Sequence, residues 1–242
     1  MLKARARRAL AVLLCCCGLA VLGLAVVSNW QARDASAKLE PLRGVATSRP
    51  EVAVTFDISW GEVMPPKVAD ILKAQCVPCT IFLSGPYASK HTDFVRRLAE
   101  DGHELASHGY LHKDMSAYSR EEIRDSIQRT HDIIRDLTGQ EPRFIRPPNG
   151  DYDDLVLQTA AELNYTVVEW SLDSLDWLNP GVQKIIDRVV TRVKPGDVIL
   201  LHASDTCKQT DQALPEIIQA LRGKGLTLVT LRTLLEGAGR PQ

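Results

Sequence analysis

Glu51-Val-Ala-Val-Thr-Phe-Asp57 is a β-rich run closed by a carboxylate, and strand-like and helix-like segments alternate from it onward. Pro65-Pro66 opens a helix with Val68, Ile71 and Leu72 on one face, as proline in a first turn permits. Residues 79–83 read as the next strand. Residues 92–101 read as a helix with Phe94, Val95 and Leu98 inward, stopped by Gly102. After a brief strand at 104–107, Ser119-Arg-Glu-Glu122 has the form of a capping box and starts a helix running to Gly139. Strands at 144–145, 166–170, 198–201 and 226–230 then alternate with helices at 153–163, 180–193 and 211–224. Such a succession of β-α units predicts an α/β fold of parallel strands with right-handed crossovers, barrel-like or doubly wound.

This order places the chemically capable residues. Asp57, His108, Arg146, Asp173, Asp176 and His202 all follow the C-terminal end of a predicted strand, the face on which barrel active sites collect. His108-Gly-Tyr-Leu-His112 holds two of the six histidines, four residues apart. That spacing suits one divalent metal; taken alone, the pair reads first as a satisfied structural pair. With a distant aspartate and histidine as base and acid, the set suggests metal-assisted hydrolysis. Arg146 would keep the base ionised, and an aspartate, Asp173 or Asp176, would hold the tautomer of the acid histidine. His91 and His131 fall in predicted helices and read as solvated, whereas His103 reads as a loop hydrogen-bonder.

At 242 residues the chain accommodates one sizeable α/β domain plus an N-terminal appendage. Four of its 29 basic residues lie in the first eight positions, which leaves 25 against 30 acidic ones, a net charge of −5, for the rest. That balance argues against a nucleic-acid surface. The charge-free apolar run at 9–27 can just span a hydrocarbon core of roughly 30 Å, and the cations ahead of it predict a cytoplasmic N-terminus with an exported body. We therefore expect a basic N-terminus plus signal anchor over 1–28, a linker over 29–50 and a domain over 51–238, which places the protein at the cell membrane, single-pass and extracytoplasmic. A cleaved signal peptide, giving a secreted protein, is the rival reading. Cys76-Val-Pro-Cys79 runs into a strand instead of opening a helix, so it reads as buried structural cysteine or a simple disulfide, not a redox pair.

The motifs together resemble the polysaccharide deacetylases of the NodB homology type over residues 51–236, most closely the sporulation-associated PdaB branch. The carrying residues are Thr-Phe-Asp-Ile-Ser-Trp-Gly at 55–61, His108 with His112, Arg-Pro-Pro-Asn-Gly at 146–150, Asp-Ser-Leu-Asp-Trp at 173–177 and Leu-His-Ala-Ser-Asp at 201–205. The resemblance implies a distorted (β/α) barrel of about seven parallel strands. It implies removal of N-acetyl groups from N-acetylated cell-wall polysaccharide, peptidoglycan or chitin-like, usually with zinc. It further implies Asp57 as base, His202 as acid, Arg146 as partner of the base and Asp176 as support of the acid. Trp177, Leu200 and Asn149 would bind substrate, and His108 and His112 would hold the metal. Apart from the resemblance, the aromatic faces of Trp60 and Trp170 read as saccharide platforms or as core or rim packing. Three positions depart from the family pattern. Ile58 stands where the family carries a third, aspartate metal ligand, Gly109 where Ser or Thr commonly follows the first histidine, and Asn149 where many members have tyrosine. The first departure raises a second expectation, a catalytically weak or inactive deacetylase-like module that binds glycan or serves envelope assembly.

Overall fold

Every residue of β1 (Glu51–Ile58) is buried, because helices cover one of its faces and the barrel interior the other. Val54, Phe56 and Ile58 pack into the larger apolar cluster with helix residues, while Ala53 faces inward beside Phe82, Ala106 and Val198. The structure is a computed structural model and describes residues 39–237.

Seven further strands complete one parallel sheet: β2 (Thr80–Leu83), β3 (Glu104–Ser107), β4 (Phe144–Ile145), β5 (Thr166–Val167), β6 (Leu172–Asp173), β7 (Val198–His202) and β8 (Thr227–Val229). Their order is β5-β4-β3-β2-β1-β7-β6, with β8 pairing with the first residues of β1. The helices are α1 (Met64–Ala74), α2 (Gly85–Lys90), α3 (Thr92–Glu100), α4 (Arg120–Thr138), α5 (Asp154–Glu162), α6 (Val182–Val190), α7 (Thr210–Gly223) and α8 (Leu231–Gly237). This is the expected distorted (β/α) barrel. The capping box on α4 is present, with Ser119 and Glu122 bonded reciprocally and Gly139 ending the helix at φ 73°.

Two expectations about the chain's course change. The strand expected over 166–170 divides: β5 pairs with β4, Val168 bridges to Leu42, and the chain then crosses to the opposite edge, where β6 pairs with β7. The sheet is thus unpaired between β5 and β6, where the chain itself crosses, and the carbonyls of Val168 and Glu169 are met by the Arg146 guanidinium instead of a ladder. Part of the expected linker belongs to the fold, since Leu42 N donates to Val167 O at 2.8 Å and Leu42 and Val45 pack on the barrel's inner cluster. Residues 1–38, with the expected anchor, lie outside the described residues, among which no helix is long and apolar enough to cross a membrane.

His131 is buried, not solvated, because α4 turns it toward the body, where it bonds Tyr165 Oη at 2.8 Å and faces Glu141 at 3.1 Å. His91 joins α2 to α3 and stacks on Tyr87. Cys76 and Cys79 are free thiols; Cys76 is exposed, while Cys79 is buried against His103 Nδ1 at 3.3 Å.

Candidate active site

Asp57 and His202 are register partners on β1 and β7, so their side chains rise from neighbouring strands into one mouth of the barrel. Asp57 is nearly buried, and its Oδ1 accepts from Arg146 Nη1 at 2.7 Å. Arg146, at the end of β4, is fully buried; it lies over the Phe82 ring at 4.1 Å and also donates to Glu169 O. Burial alone would push the Asp57 carboxyl up, but Arg146, His108 and His202 outweigh it and hold the group below the usual carboxylate range.

His108 follows β3 and is buried. Its Nδ1 donates to the Arg146 carbonyl at 2.8 Å, which fixes the tautomer and leaves the Nε2 lone pair 3.8 Å from Asp57 Oδ2. Desolvation brings its pKa down to about 4, so the ring is neutral at neutral pH. The His112 ring lies 5.3 Å away, centroid to centroid, with its pKa lowered first by desolvation. Gly109 between them has φ +71°, a conformation glycine adopts without strain.

Two neutral imidazoles, one oriented by a carbonyl, fit a divalent ion of the zinc type. The further carboxylate within reach is Asp57; Ile58 packs on the outer face of β1 and does not join them. A tighter grouping of possible ligand atoms is Asp176, His202 and Cys207, all within 4.8 Å. There, however, Asp176 Oδ1 accepts from His202 Nδ1 at 2.7 Å, and Oδ2 accepts from His202 N and Thr210 Oγ1. Burial also pushes the Cys207 thiol up to about 12, so this group is a satisfied acid–histidine pair. Burial would lower His202, but the hydrogen bond and charge of Asp176 outweigh it and raise its pKa. Asp173 instead accepts from Leu175 N in its own turn, so the geometry selects Asp176 as the histidine's partner.

A cavity of about 390 Å³ joins these groups; Asp57, His108, His112, Asn149, Trp177, Leu200 and His202 all line it, with Arg146 and Asp176 behind. Asn149 holds φ +59°, a conformation asparagine tolerates, and its Nδ2 donates to Asp114. Sequence reading missed Glu169. It is buried at the seam, desolvation pushes its pKa up to about 7, and its Oε1 lacks a hydrogen-bond partner among the described residues. It also missed the lining by Cys207 and the bonds of Asp205 to the backbone at 62–64, whose partners lie far away in sequence.

The model of the polysaccharide deacetylase family matches residues 44–168. The chain belongs to this family. It is 36% identical over 191 residues to a peptidoglycan-N-acetylglucosamine deacetylase of Bacillus cereus, covering 78% of this chain and 70% of that one. It is 36% identical over 211 residues to a chitooligosaccharide deacetylase of Sinorhizobium fredii, covering 80% and 97%. Among solved structures, BA3943, a CE4 family pseudoenzyme of Bacillus anthracis, matches with a TM-score of 0.77 and 28% identity over 82% of this chain and 70% of that one. A mutant of that protein with restored enzymatic activity matches with the same TM-score, 0.77.

Proposed function

We propose that this polysaccharide deacetylase is an N-deacetylase of N-acetylated cell-wall glycan. The observation that carries the reading is the register pairing of an ionised aspartate with an aspartate-supported histidine, directly beside two neutral histidines. A divalent ion on His108 and His112 would lower the pKa of a water and polarise the acetamide carbonyl. Asp57, kept ionised by Arg146, takes a proton from the attacking water. His202, kept protonated by Asp176, gives its proton to the departing amine as the C–N bond breaks, and acetate leaves. Leu200 supplies an apolar wall for the acetyl methyl, and Trp177 a wall for the sugar.

Anchoring through residues 9–27, an extracytoplasmic setting and a part in sporulation belong to the same proposal. They are supported by the charge pattern of the N-terminus and by the motif resemblance. The test is acetate release from peptidoglycan fragments and chitooligosaccharides by the full-length protein supplied with zinc. Asp57→Asn and His202→Ala are each expected to lose about 10²–10⁴-fold in kcat. Unaltered rates in both would sink the mechanism.

A second reading, a deacetylase-like module of weak or no activity, is favoured by the outward-facing Ile58 and by the likeness to the pseudoenzyme. Metal analysis separates the two. One bound metal per chain that disappears in His108→Ala speaks for the enzyme, and a metal-free wild type for the module.

A further inference from the structure

Glu169, at the unpaired seam between β5 and β6, is used by none of the steps above. Its backbone is pinned on both sides: its N–H donates to Leu42 O at 2.8 Å, and its carbonyl accepts from Arg146 Nη2 at 3.0 Å. The side chain is buried, and Oε1 has no hydrogen-bond partner among the described residues. The carboxyl group lies directly behind the catalytic cavity. A Cβ on Gly150 would stand 3.0 Å from Glu169 Oε2 and 3.0 Å from Trp170 Cη2, and Gly150 and Trp170 both line the cavity. With φ +67° as well, position 150 suits glycine on both counts, and the room it leaves is filled by the Glu169 carboxyl.

Three charged groups face this carboxyl: Arg146 from the end of β4, Arg43 from the segment ahead of β1, and Asp57 from β1. Each arginine donates elsewhere. Arg146 Nη1 bonds Asp57 at 2.7 Å, and Arg43 Nη2 bonds Tyr152 Oη at 2.9 Å. Desolvation pushes Glu169 up to about 7, while Arg146 and Arg43 pull it down and Asp57 adds to the rise. Two carboxyl groups thus draw on one buried guanidinium, one in contact with it and one held back.

We infer that Glu169 is a positioning residue for Arg146: protonated, it leaves the guanidinium to Asp57, and ionised, it competes for the guanidinium and loosens its bond to Asp57. The inference rests on the reading of Asp57 as base. A base that must meet one water molecule works only while its carboxylate is held in one geometry, and Arg146 Nη1 supplies that hold. A second negative charge behind the cavity wall weakens it. The proton that Glu169 loses goes to solvent.

The test compares the full-length protein with Glu169→Gln, which keeps the shape of the protonated form and cannot ionise. Because the folded pKa of Glu169 is raised, ionisation costs stability as pH rises from the unfolded value through the folded one, and the variant is spared that cost. The Tm of Glu169→Gln is expected to match wild type at about pH 5 and to exceed it by at least about 3 °C at about pH 8. In an Asp57→Asn background Arg146 is left to Glu169, so the same substitution is expected to gain about half as much or less. In acetate release, the kcat ratio of Glu169→Gln to wild type is expected to rise about two- to fivefold between those pH values, with KM unmoved. A Tm difference that is constant with pH or equal in both backgrounds overturns the inference, since a mere filler of the seam would behave so. A kcat ratio that is flat with pH overturns it too. Should Glu169→Gln fail to fold, Glu169→Met, equally unable to ionise, decides by the same measurements. The expected Tm differences without acetate release from any of the proteins support the positioning and sink the deacetylase reading. Acetate release with flat Tm differences and a flat ratio does the reverse.

Discussion

At position 58 the alternation of β1 sends the isoleucine outward among Val54 and Phe56, while Asp57 points into the cavity. Unlike the ligating aspartate that the family pattern places here, a carboxylate introduced by Ile58→Asp would enter the apolar packing that Ile58 now occupies, away from His108 and His112. The expected outcome in denaturant unfolding is a loss of about 3–5 kcal/mol, as for an uncompensated buried charge. Metal analysis should show no gain in occupancy; a stable variant with tighter metal would refute the argument. Asp176, in the turn after β6, raises the pKa of His202, so the protonated acid persists to higher pH. Asp176→Asn removes that charge, and the alkaline limb of the kcat/KM profile should move to lower pH. An unmoved limb would mean that another group supplies the proton.

At the scale of elements, α1 shows how a helix can start without a local signal. Val63 offers no side-chain cap, and the orphan N–H groups are met by Asp205 from the loop after β7. Asp205→Ala is expected to cost about 1 kcal/mol by thermal melting, the usual size for a lost N-cap. The hydrogen bond from Met64 N, above all, holds the Asp205 carboxyl below its ordinary range. Its contribution is therefore present above the unfolded-state pKa and is lost as pH falls through the folded one, so the variant's deficit should shrink on acidification. This cap also marks where sequence reading ends. The start of α4 was legible because Ser119 and Glu122 lie three residues apart, and its stop because Gly139 needs only its own φ. Asp57, His108, Arg146 and His202 were legible because each ends or follows a strand. The Asp205 cap, the Leu42 bridge and the division of 166–170 depend on partners more than a hundred residues distant or on which sheet edge is nearer, and neither leaves a local pattern.

For the molecule as a whole, Arg146 links the open seam of the barrel to the charge state of the site. Its guanidinium bonds Asp57 Oδ1 and also meets Val168 O and Glu169 O at the seam between β5 and β6. Arg146→Met keeps much of the volume but removes all of these donors. Asp57 would then keep only the pull of His108 and His202 against burial, the largest influence on it, which pushes a carboxyl up. In the wild type the folded pKa of Asp57 is depressed, so its contribution to stability exists above the unfolded pKa and fades as pH falls through the folded value. In the variant the sign reverses. A raised folded pKa means that Asp57 is tolerated below the unfolded value and destabilises as pH rises through the raised one. The variant should therefore lie about 3–5 kcal/mol below wild type at neutral pH, with the gap closing as the solution is acidified. Tm measured across pH on both proteins checks this. A gap that stays constant with pH would place the role of Arg146 in the seam carbonyls alone and detach it from Asp57.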